Sequence, residues 1–180
     1  MDKKELRRAI KALKAQVTDE QKLIEEQLVF STIEQMDAFK SCNNVLLYCS
    51  MPDELPTRVT ISRWAQLKNI FLPRVNGDVL DIVPLGQDLS NDNRFNIDEP
   101  TGEPVDGNII DLIIVPAIAL DPKCNRMGRG KGFYDKLLAT VNAYTIGVAL
   151  ECQLVDSVPV EPHDKALDAI VTAHHQYFKN

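Results

Sequence analysis

The segment from residue 126 to residue 135 reads Arg-Met-Gly-Arg-Gly-Lys-Gly-Phe-Tyr-Asp, with three glycines among its basic side chains. An apolar run of strand length, Asp111-Leu-Ile-Ile-Val-Pro116, precedes it, and apolar residues at helical spacing follow it. A second apolar run, Tyr144-Thr-Ile-Gly-Val-Ala-Leu150, comes after that predicted helix. This order predicts a β-α-β unit with two parallel strands, and it decides the fold class.

The glycines and basic side chains of this segment suit a bound anion. Glycine lets the backbone take positive φ and lets a ligand approach the backbone N–H groups, while arginine and lysine side chains pair with phosphate oxygens. The helix predicted directly after the glycines adds unpaired N–H groups and the positive end of its dipole. We call residues 126–135 the cradle, and we expect it to bind the phosphates of a nucleotide.

Neither of two familiar phosphate-binding motifs matches the cradle. The Walker A pattern ends in Gly-Lys followed by Ser or Thr, whereas Gly132 follows Lys131. The dinucleotide fingerprint needs a third glycine three residues after the second, and Phe133 stands there after Gly130. A basic surface loop in which glycine only provides turns is the alternative interpretation.

Hydrophobic periodicity predicts the other elements of the chain. Helices are expected over residues 3–16, from a capping box at Thr18 to about residue 40, and over Thr57–Leu67. Strands are expected at Val45–Cys49, Ile70–Pro73 and Val79–Pro84 and within Lys165–Thr172. The sequence therefore predicts the α/β class. We expect a single three-layer α/β/α domain over residues 1–180, with a mostly parallel, open, Rossmann-like sheet and an antiparallel edge hairpin.

Composition narrows the classes of partner. The formal net charge of −6 argues against a general nucleic-acid or membrane-surface binder, so a small anionic ligand needs a local basic site such as the cradle. The four cysteines show no Cys-x-x-Cys pair and no zinc-type spacing, so we expect each of them to be a free thiol. No apolar run approaches about 18 residues and no signal peptide is recognisable, so we expect a cytoplasmic protein. We also expect a monomer whose partners are small molecules.

Two neighbouring stretches carry a family resemblance. The run Pro116-Ala-Ile-Ala-Leu-Asp121, followed by Asn125-Arg-Met-Gly-Arg-Gly-Lys-Gly-Phe-Tyr-Asp135, resembles the signature of 5-formyltetrahydrofolate cyclo-ligases, also called methenyltetrahydrofolate synthetases. The resemblance extends over nearly the whole chain. It implies an ATP- and magnesium-dependent cyclisation of 5-formyltetrahydrofolate to 5,10-methenyltetrahydrofolate. In that reaction the formyl oxygen is phosphorylated, and ADP and phosphate are released.

The resemblance assigns the nucleotide to the cradle and to basic residues elsewhere in the chain. It implies ATP contacts by Lys3, Lys4, Arg7, Arg74, Arg126, Met127, Gly128, Arg129, Gly130, Lys131, Gly132, Phe133 and Tyr134. Arg129, Lys131 and Tyr134 are the implied catalytic residues, because the reaction needs positioning and charge neutralisation rather than a protein nucleophile. Taken alone, the N-terminal basic residues also fit a solvated helix face, and Arg74 also fits a solvated loop.

The resemblance also implies a folate pocket and a magnesium site. The implied folate contacts are Arg7, Cys49, Met51, Glu54, Phe95 and Tyr134, and the implied magnesium ligands are Asp135 and Asp164. Most relatives carry Trp where Phe95 stands and a second Tyr where Phe133 stands, so one indole N–H and one hydroxyl are missing here. Without the resemblance, Glu54 also fits an acid in the first turn of a helix, and Asp135 also fits one that stabilises a helix dipole.

Two other functions are compatible with the sequence. A non-catalytic domain that binds a nucleotide or phosphosugar effector would use the cradle without needing Glu54, Asp135 and Asp164 together. A phosphosugar isomerase of similar fold needs a general base poised near neutral pH and has no need for ATP. Release of ADP in the presence of 5-formyltetrahydrofolate separates both functions from a cyclo-ligase.

Overall fold

A computed structural model describes residues 2–86 and 100–180 of the chain. The helices are α1 (Lys3–Lys14), α2 (Asp19–Gln35), α3 (Asp37–Ser41), α4 (Arg58–Trp64) and α5 (Phe133–Thr140). The strands are β1 (Asn44–Leu46), β2 (Asn69–Asn76), β3 (Val79–Pro84), β4 (Leu112–Pro116), β5 (Ala119–Leu120), β6 (Arg126–Met127), β7 (Tyr144–Val148), β8 (Ala169–Val171) and β9 (Gln176–Phe178). Short 3-10 turns lie at Gly107–Ile109 and Glu151–Gln153. The β-α-β unit predicted around the cradle is present as β4, α5 and β7.

Seven of these strands form one open sheet in the order β3-β2-β1-β4-β7-β8-β9. The five central strands are parallel, whereas β3 and β9 pair with their neighbours antiparallel. The mostly parallel sheet and the antiparallel edge hairpin are therefore confirmed, and β9 adds a second antiparallel edge that was not predicted. From β1 the chain moves outward to β2 and later returns to β4 on the other side of β1, which makes the β1/β4 junction the switch point of the sheet.

Helices cover both faces of this sheet. Along β4, Leu112 and Ile114 join the core formed with α2, α3 and α4, whereas Ile113 and Val115 join the core formed with α5. Alternate residues of a strand point to opposite faces, so both faces of the central strands are buried. The predicted three-layer α/β/α arrangement is confirmed.

Helix α1 packs against a third, smaller core outside the main sheet. Leu6 and Ile10 of α1 contact a cluster that includes Ile118, Ala119 and Met127. These residues belong to the β5–β6 hairpin or directly precede it. Hydrophobic burial therefore holds the N-terminal helix beside the start of the cradle.

Capping explains where the N-terminal helices begin. The capping box predicted at Thr18 is present, since its side chain accepts from the N–H of Gln21 and the Gln21 side chain accepts from the N–H of Thr18. Asp2 and Glu5 form a second capping box at the start of α1. The predicted helix from Thr18 to residue 40 is divided, because Met36 has extended backbone angles and separates α2 from α3.

Three predicted strands have different bounds in the structure, and β7 ends at Val148 rather than Leu150. Strand β1 ends at Leu46 rather than Cys49, although the N–H of Leu47 still donates to the carbonyl of Phe71. Strand β2 continues to Asn76, so Arg74 lies within a strand instead of following one. Beyond Phe71, β2 pairs with β3 alone. Pro73 is tolerated there although it has no N–H to donate, because one side of the strand has no partner strand.

Gly147 in β7 gives a direct test of packing in the centre of the sheet. A Cβ built there would lie 2.5 Å from Cδ1 of Leu167 and 3.0 Å from Cδ2 of Leu120. We expect Gly147→Ala to lower the free energy of unfolding by about 1–3 kcal/mol, because an overpacked core forces neighbours out of their preferred rotamers. Urea unfolding followed by circular dichroism measures the change. Gly86→Ala is the matched control, since no atom of residues 2–86 and 100–180 lies within 4 Å of its added Cβ, and equal stability of the two variants would contradict this packing.

Candidate active site

The candidate site lies where the chain leaves the carboxyl ends of β1 and β4. Open α/β sheets bind ligands in the crevice at this edge, at the switch point. The loop of residues 47–57 follows β1, and the segment after β4 leads through the β5–β6 hairpin into the cradle. The two predicted ligand-binding segments therefore begin on neighbouring strands.

The β5–β6 hairpin delivers the cradle, and a buried aspartate fixes its turn. Asp121 is fully buried and accepts hydrogen bonds from the N–H groups of Lys123, Asn125 and Val158 and from the Asn125 side chain, over 2.9–3.1 Å. Sequence reasoning missed this hairpin. Its signal is Leu-Asp-Pro at residues 120–122, since aspartate favours turns by accepting from nearby backbone N–H groups.

The backbone of the cradle has the conformation that its glycines allow. Gly130 has φ of +96°, and Gly132 has φ of +71° and is the N-cap of α5. Because Gly132 has no side chain to cap the helix, the first N–H groups of α5 keep their capacity to bind an anion. The prediction that the cradle opens directly into a helix is confirmed.

Two of the three predicted N-terminal residues contact other predicted site residues. Arg7 donates from Nε and Nη2 to the carbonyl oxygen of Gly128, at 3.3 and 3.2 Å. Lys3 forms an ion pair with Asp164 at 2.9 Å, and the hydrogen bond that Lys3 donates to Asp164 raises the pKa of Lys3 although burial opposes the rise. Lys4 is exposed on α1. Helix α1 thus presents Arg7 to the cradle and Lys3 to the loop that contains Asp164.

Arg129 connects the cradle to the loop that follows β1. Its Nη2 lies 2.7 Å from Oδ1 of Asp53 and 3.0 Å from Oε1 of Glu54, and its Nε lies 3.2 Å from the same Glu54 oxygen. The predicted phosphate-binding arginine and the predicted folate-binding acid are therefore in contact. Lys131 is exposed, as expected for a side chain turned outward.

Arg126 and Asp135 pair with each other at 2.8 Å. The side chain of Arg126 is 5% exposed, and its guanidinium lies 5.6 Å from the ring centre of Tyr134. Burial and the nearby Glu54 raise the pKa of Tyr134, so its hydroxyl stays protonated and can donate a hydrogen bond at neutral pH.

The loop after β1 is rigidly held. Thr57, fully buried, donates from Oγ1 to the carbonyl of Tyr48, and Thr57 and Ser50 exchange two further hydrogen bonds between backbone and side chain. Glu54 accepts from the N–H of Met51 at 2.9 Å. Of the predicted folate residues on this loop, Met51 is exposed and Cys49 is half-buried. All four cysteines lie in the described ranges, and no disulfide joins any two of them.

Arg74 contacts a different part of the chain. Its guanidinium donates to the carbonyl oxygens of Pro100 and Gly102, at 3.2 and 2.9 Å, and pairs with Asp81 at 3.3 Å. In the described part of the chain it therefore ties β2 and β3 to the residues after position 99. Phe95, predicted to contact the folate, lies outside the described residues.

One group of possible metal ligands occurs in the described ranges. Single donor atoms of Glu161, His163 and Asp164 lie within 4.8 Å of one another, and Asp135 is not part of this group. Lys3 pairs with both carboxylates of the group. The Lys3 hydrogen bond lowers the pKa of Asp164 although burial opposes the change, so this carboxylate is ionised, as a hard cation requires.

Several side chains that shape the site escaped sequence reasoning. Lys14, on the face of α1 interpreted as solvated, is only 5% exposed and pairs with Asp53 at 2.6 Å. Lys22 of α2 donates to the carbonyl of Pro52 in the same loop, at 2.9 Å. Acids are common in loops, so Asp53 carries no sequence signal beyond its place next to Glu54.

None of the helices in the described ranges is long and apolar enough to cross a bilayer.

The fold and the site together define a class of protein. It is a three-layer α/β protein in which the cradle lies at the switch point of the sheet, next to the loop after β1 with its acids Asp53 and Glu54. The model of the 5-formyltetrahydrofolate cyclo-ligase family matches residues 1–173. The chain belongs to the 5-formyltetrahydrofolate cyclo-ligase family, and the predicted family is confirmed.

Individual relatives agree with this assignment. The chain is 30% identical over 176 residues to the 5-formyltetrahydrofolate cyclo-ligase of Haemophilus influenzae. The aligned part covers 92% of this chain and 94% of that protein. It is 33% identical over 141 residues to the 5-formyltetrahydrofolate cyclo-ligase of Escherichia coli, over 72% of this chain and 78% of that protein. The structure of 5,10-methenyltetrahydrofolate synthetase from Aquifex aeolicus superposes with a TM-score of 0.83 at 28% identity, covering 99% of this chain and 93% of that one.

The contacts of Asp53 predict its titration. Burial alone would raise its pKa, but the hydrogen bonds from Lys14 and Arg129 lower it from 3.8 to about 2. These ion pairs therefore stabilise the fold above the ordinary pKa, and their contribution is lost as the pH falls from 3.8 to about 2. We expect Lys14→Met to raise the pKa of Asp53 toward 3.8, measured by NMR titration of its carboxyl carbon. Lys22→Met is the control, and an equal rise in that variant would contradict a specific role of Lys14.

Proposed function

We propose that this protein catalyses the ATP-dependent cyclisation of 5-formyltetrahydrofolate to 5,10-methenyltetrahydrofolate. The observation that carries the proposal is the contact between Arg129 of the cradle and Glu54 of the loop after β1. A formyl oxygen that attacks the γ-phosphorus of ATP must lie next to the nucleotide, so the two binding subsites must adjoin. Membership of the cyclo-ligase family supports the same reaction.

The proposed reaction balances without a protein nucleophile. The formyl oxygen forms a bond to the γ-phosphorus, and the bond from that phosphorus to the bridging oxygen breaks and releases ADP. The neighbouring folate N–H then attacks the activated formyl carbon and loses its proton. The carbon–oxygen bond breaks, inorganic phosphate leaves, and the methenyl bridge remains. The protein must therefore position two substrates and offset the charge that develops on the phosphoryl group.

In this proposal the cradle holds the nucleotide. The N–H groups of Gly128, Gly130 and Gly132 and those at the start of α5 face the phosphates, and Arg129 and Lys131 pair with the γ-phosphoryl oxygens. The implied contacts of Lys3, Lys4, Arg7, Arg74, Arg126, Met127, Phe133 and Tyr134 remain part of the proposal. The positive φ of Gly130 and Gly132 and the bond from Arg7 to Gly128 support this arrangement.

The folate is proposed to lie against the loop after β1. Glu54, which is 11% exposed, would accept hydrogen bonds from the pterin ring, with Cys49 and Met51 beside it and Phe95 stacking on the ring. Tyr134 keeps its proton, so its hydroxyl can donate to the formyl group and orient it toward the nucleotide. Arg7 would lie between the two ligands.

The carboxylates at the site fit a magnesium ion, because they offer the oxygen donors that this hard cation prefers. Asp135 and Asp164 would hold it, and Arg126 and Lys3 would release these carboxylates when it binds. When bound, magnesium neutralises charge on the triphosphate. We further propose that residues 1–180 act as one domain and that the protein is a cytoplasmic monomer.

The decisive experiment mixes the protein with ATP, magnesium and 5-formyltetrahydrofolate and follows the near-ultraviolet absorbance of the methenyl product. We expect absorbance to rise together with ADP release in equal amounts. Omitting ATP or the folate is the control for each substrate. Nucleotide binding with no product and no ADP would reject the enzyme and leave an effector-binding role.

Arg129 provides the sharpest test of the proposed chemistry. A charge-assisted hydrogen bond contributes about 1.5–3 kcal/mol, so we expect Arg129→Ala to lower turnover at least about tenfold with the fold intact. Lys136→Ala is the matched control, because this exposed lysine of α5 pairs with Asp78 rather than with the site. Unchanged turnover in Arg129→Ala would remove Arg129 from the mechanism.

A further inference from the structure

A chain of three charged side chains crosses the candidate site. Lys14 at the end of α1 lies 2.6 Å from Oδ2 of Asp53, and Oδ1 of the same carboxylate lies 2.7 Å from Nη2 of Arg129. Asp53 thus receives one cation on each oxygen. Three elements distant in sequence, α1, the loop after β1 and the cradle, meet in these two contacts.

Burial makes the contact between Lys14 and Asp53 a fixed one. The Lys14 side chain is only 5% exposed, whereas Asp53 and Arg129 are 49% and 39% exposed. A buried ammonium group needs a carboxylate partner to keep its charge, so Lys14 holds Asp53 in place from the protein side. Lys22 restrains the same loop independently, through the carbonyl of Pro52.

The two acids of the loop leave one edge of the Arg129 guanidinium for a ligand. Asp53 and Glu54 accept from Nε and Nη2. Within residues 2–86 and 100–180, Nη1 makes no hydrogen bond. An arginine held at one edge keeps its other N–H groups in a fixed direction, which is what recognition of a phosphoryl oxygen requires.

Lys14 also changes the electrostatic effect of Asp53. An isolated carboxylate next to a triphosphate repels it, whereas one already paired with a buried ammonium contributes little net charge. Asp53 can therefore orient Arg129 without weakening nucleotide binding. Glu54 has no cation other than Arg129 in the described ranges, which distinguishes the two neighbouring acids.

We propose that Asp53, anchored by Lys14, is a positioning residue that orients Arg129 toward the transferred phosphoryl group. The inference rests on the proposed function, because it assigns that group as the ligand of Arg129. Asp53 itself contacts neither substrate in this proposal. Its effect on catalysis passes through Arg129 alone.

A double-mutant cycle tests this dependence. We expect Asp53→Ala to lower kcat/KM for ATP about three- to tenfold, because Arg129 loses its fixed orientation but keeps its charge. In the Arg129→Ala background the same substitution should change kcat/KM less than about twofold, since no guanidinium remains to orient. A loss through general distortion of the loop would instead appear in both backgrounds.

Matched variants complete the design. Lys14→Met should lower kcat/KM for ATP as Asp53→Ala does. Lys22→Met removes the α2 cation that donates to the carbonyl of Pro52 in the same loop, and it should change kcat/KM less than about twofold. Asp53→Asn keeps the side-chain shape and replaces Asp53→Ala if that variant fails to fold. Equal effects of Asp53→Ala in both backgrounds, no effect, or tighter ATP binding would each overturn the positioning role.

The same measurements separate this inference from the proposed function. If neither methenyl product nor ADP forms with the unaltered protein, the proposed function fails. If Arg129→Ala retains full kcat/KM for ATP, the proposed function stands, but Arg129 leaves the mechanism and the positioning role of Asp53 fails with it. If Arg129→Ala loses activity while Asp53→Ala and Lys14→Met keep it, the proposed function stands and only the positioning role is lost.

Discussion

The rest of the site depends on the hydrogen bonds that the buried carboxylate of Asp121 accepts. A charge without contact to water is stable only when hydrogen bonds satisfy it, and Asp121 accepts four, from both sides of one turn and from Val158. These bonds determine the β5–β6 hairpin, and the hairpin determines where the cradle begins. The N-terminal helix then packs on the same hairpin and brings Arg7 to Gly128.

Three cations of the site are paired with acids of the same chain. Arg126 contacts Asp135, Lys3 contacts Asp164, and Arg129 contacts Asp53 and Glu54. This arrangement explains how a chain of net charge −6 holds a basic cluster together without self-repulsion. In the proposed complex the ligands replace the pairs of Arg126 and Lys3, whereas Arg129 keeps Asp53 and binds through its other edge. A polyphosphate, with several charges and many acceptor oxygens, can do so, whereas a singly charged anion gains too little.

The contact between the cradle and the loop after β1 distinguishes a transfer enzyme from a domain that only binds a ligand. A domain that only senses a phosphorylated effector needs the cradle, but it has no need for an acidic loop in contact with the cradle arginine. The switch point of the sheet supplies that adjacency, because β1 and β4 are neighbours although their loops are distant in sequence. The same geometry accounts for a reaction that depends on position and charge and needs no nucleophile from the protein.

Local patterns of sequence predicted the β-α-β unit, the helix that opens directly after the glycines of the cradle, the capping box at Thr18 and the antiparallel edge hairpin. These features depend on residues within a few positions of one another, so periodicity and turn chemistry reveal them. The structure alone decided the partners of Lys14, Asp53 and Arg129 and the place of Arg74 within β2. Such contacts join residues 39 to 76 positions apart, and a charged side chain carries no local signal of the distant partner that folding brings to it.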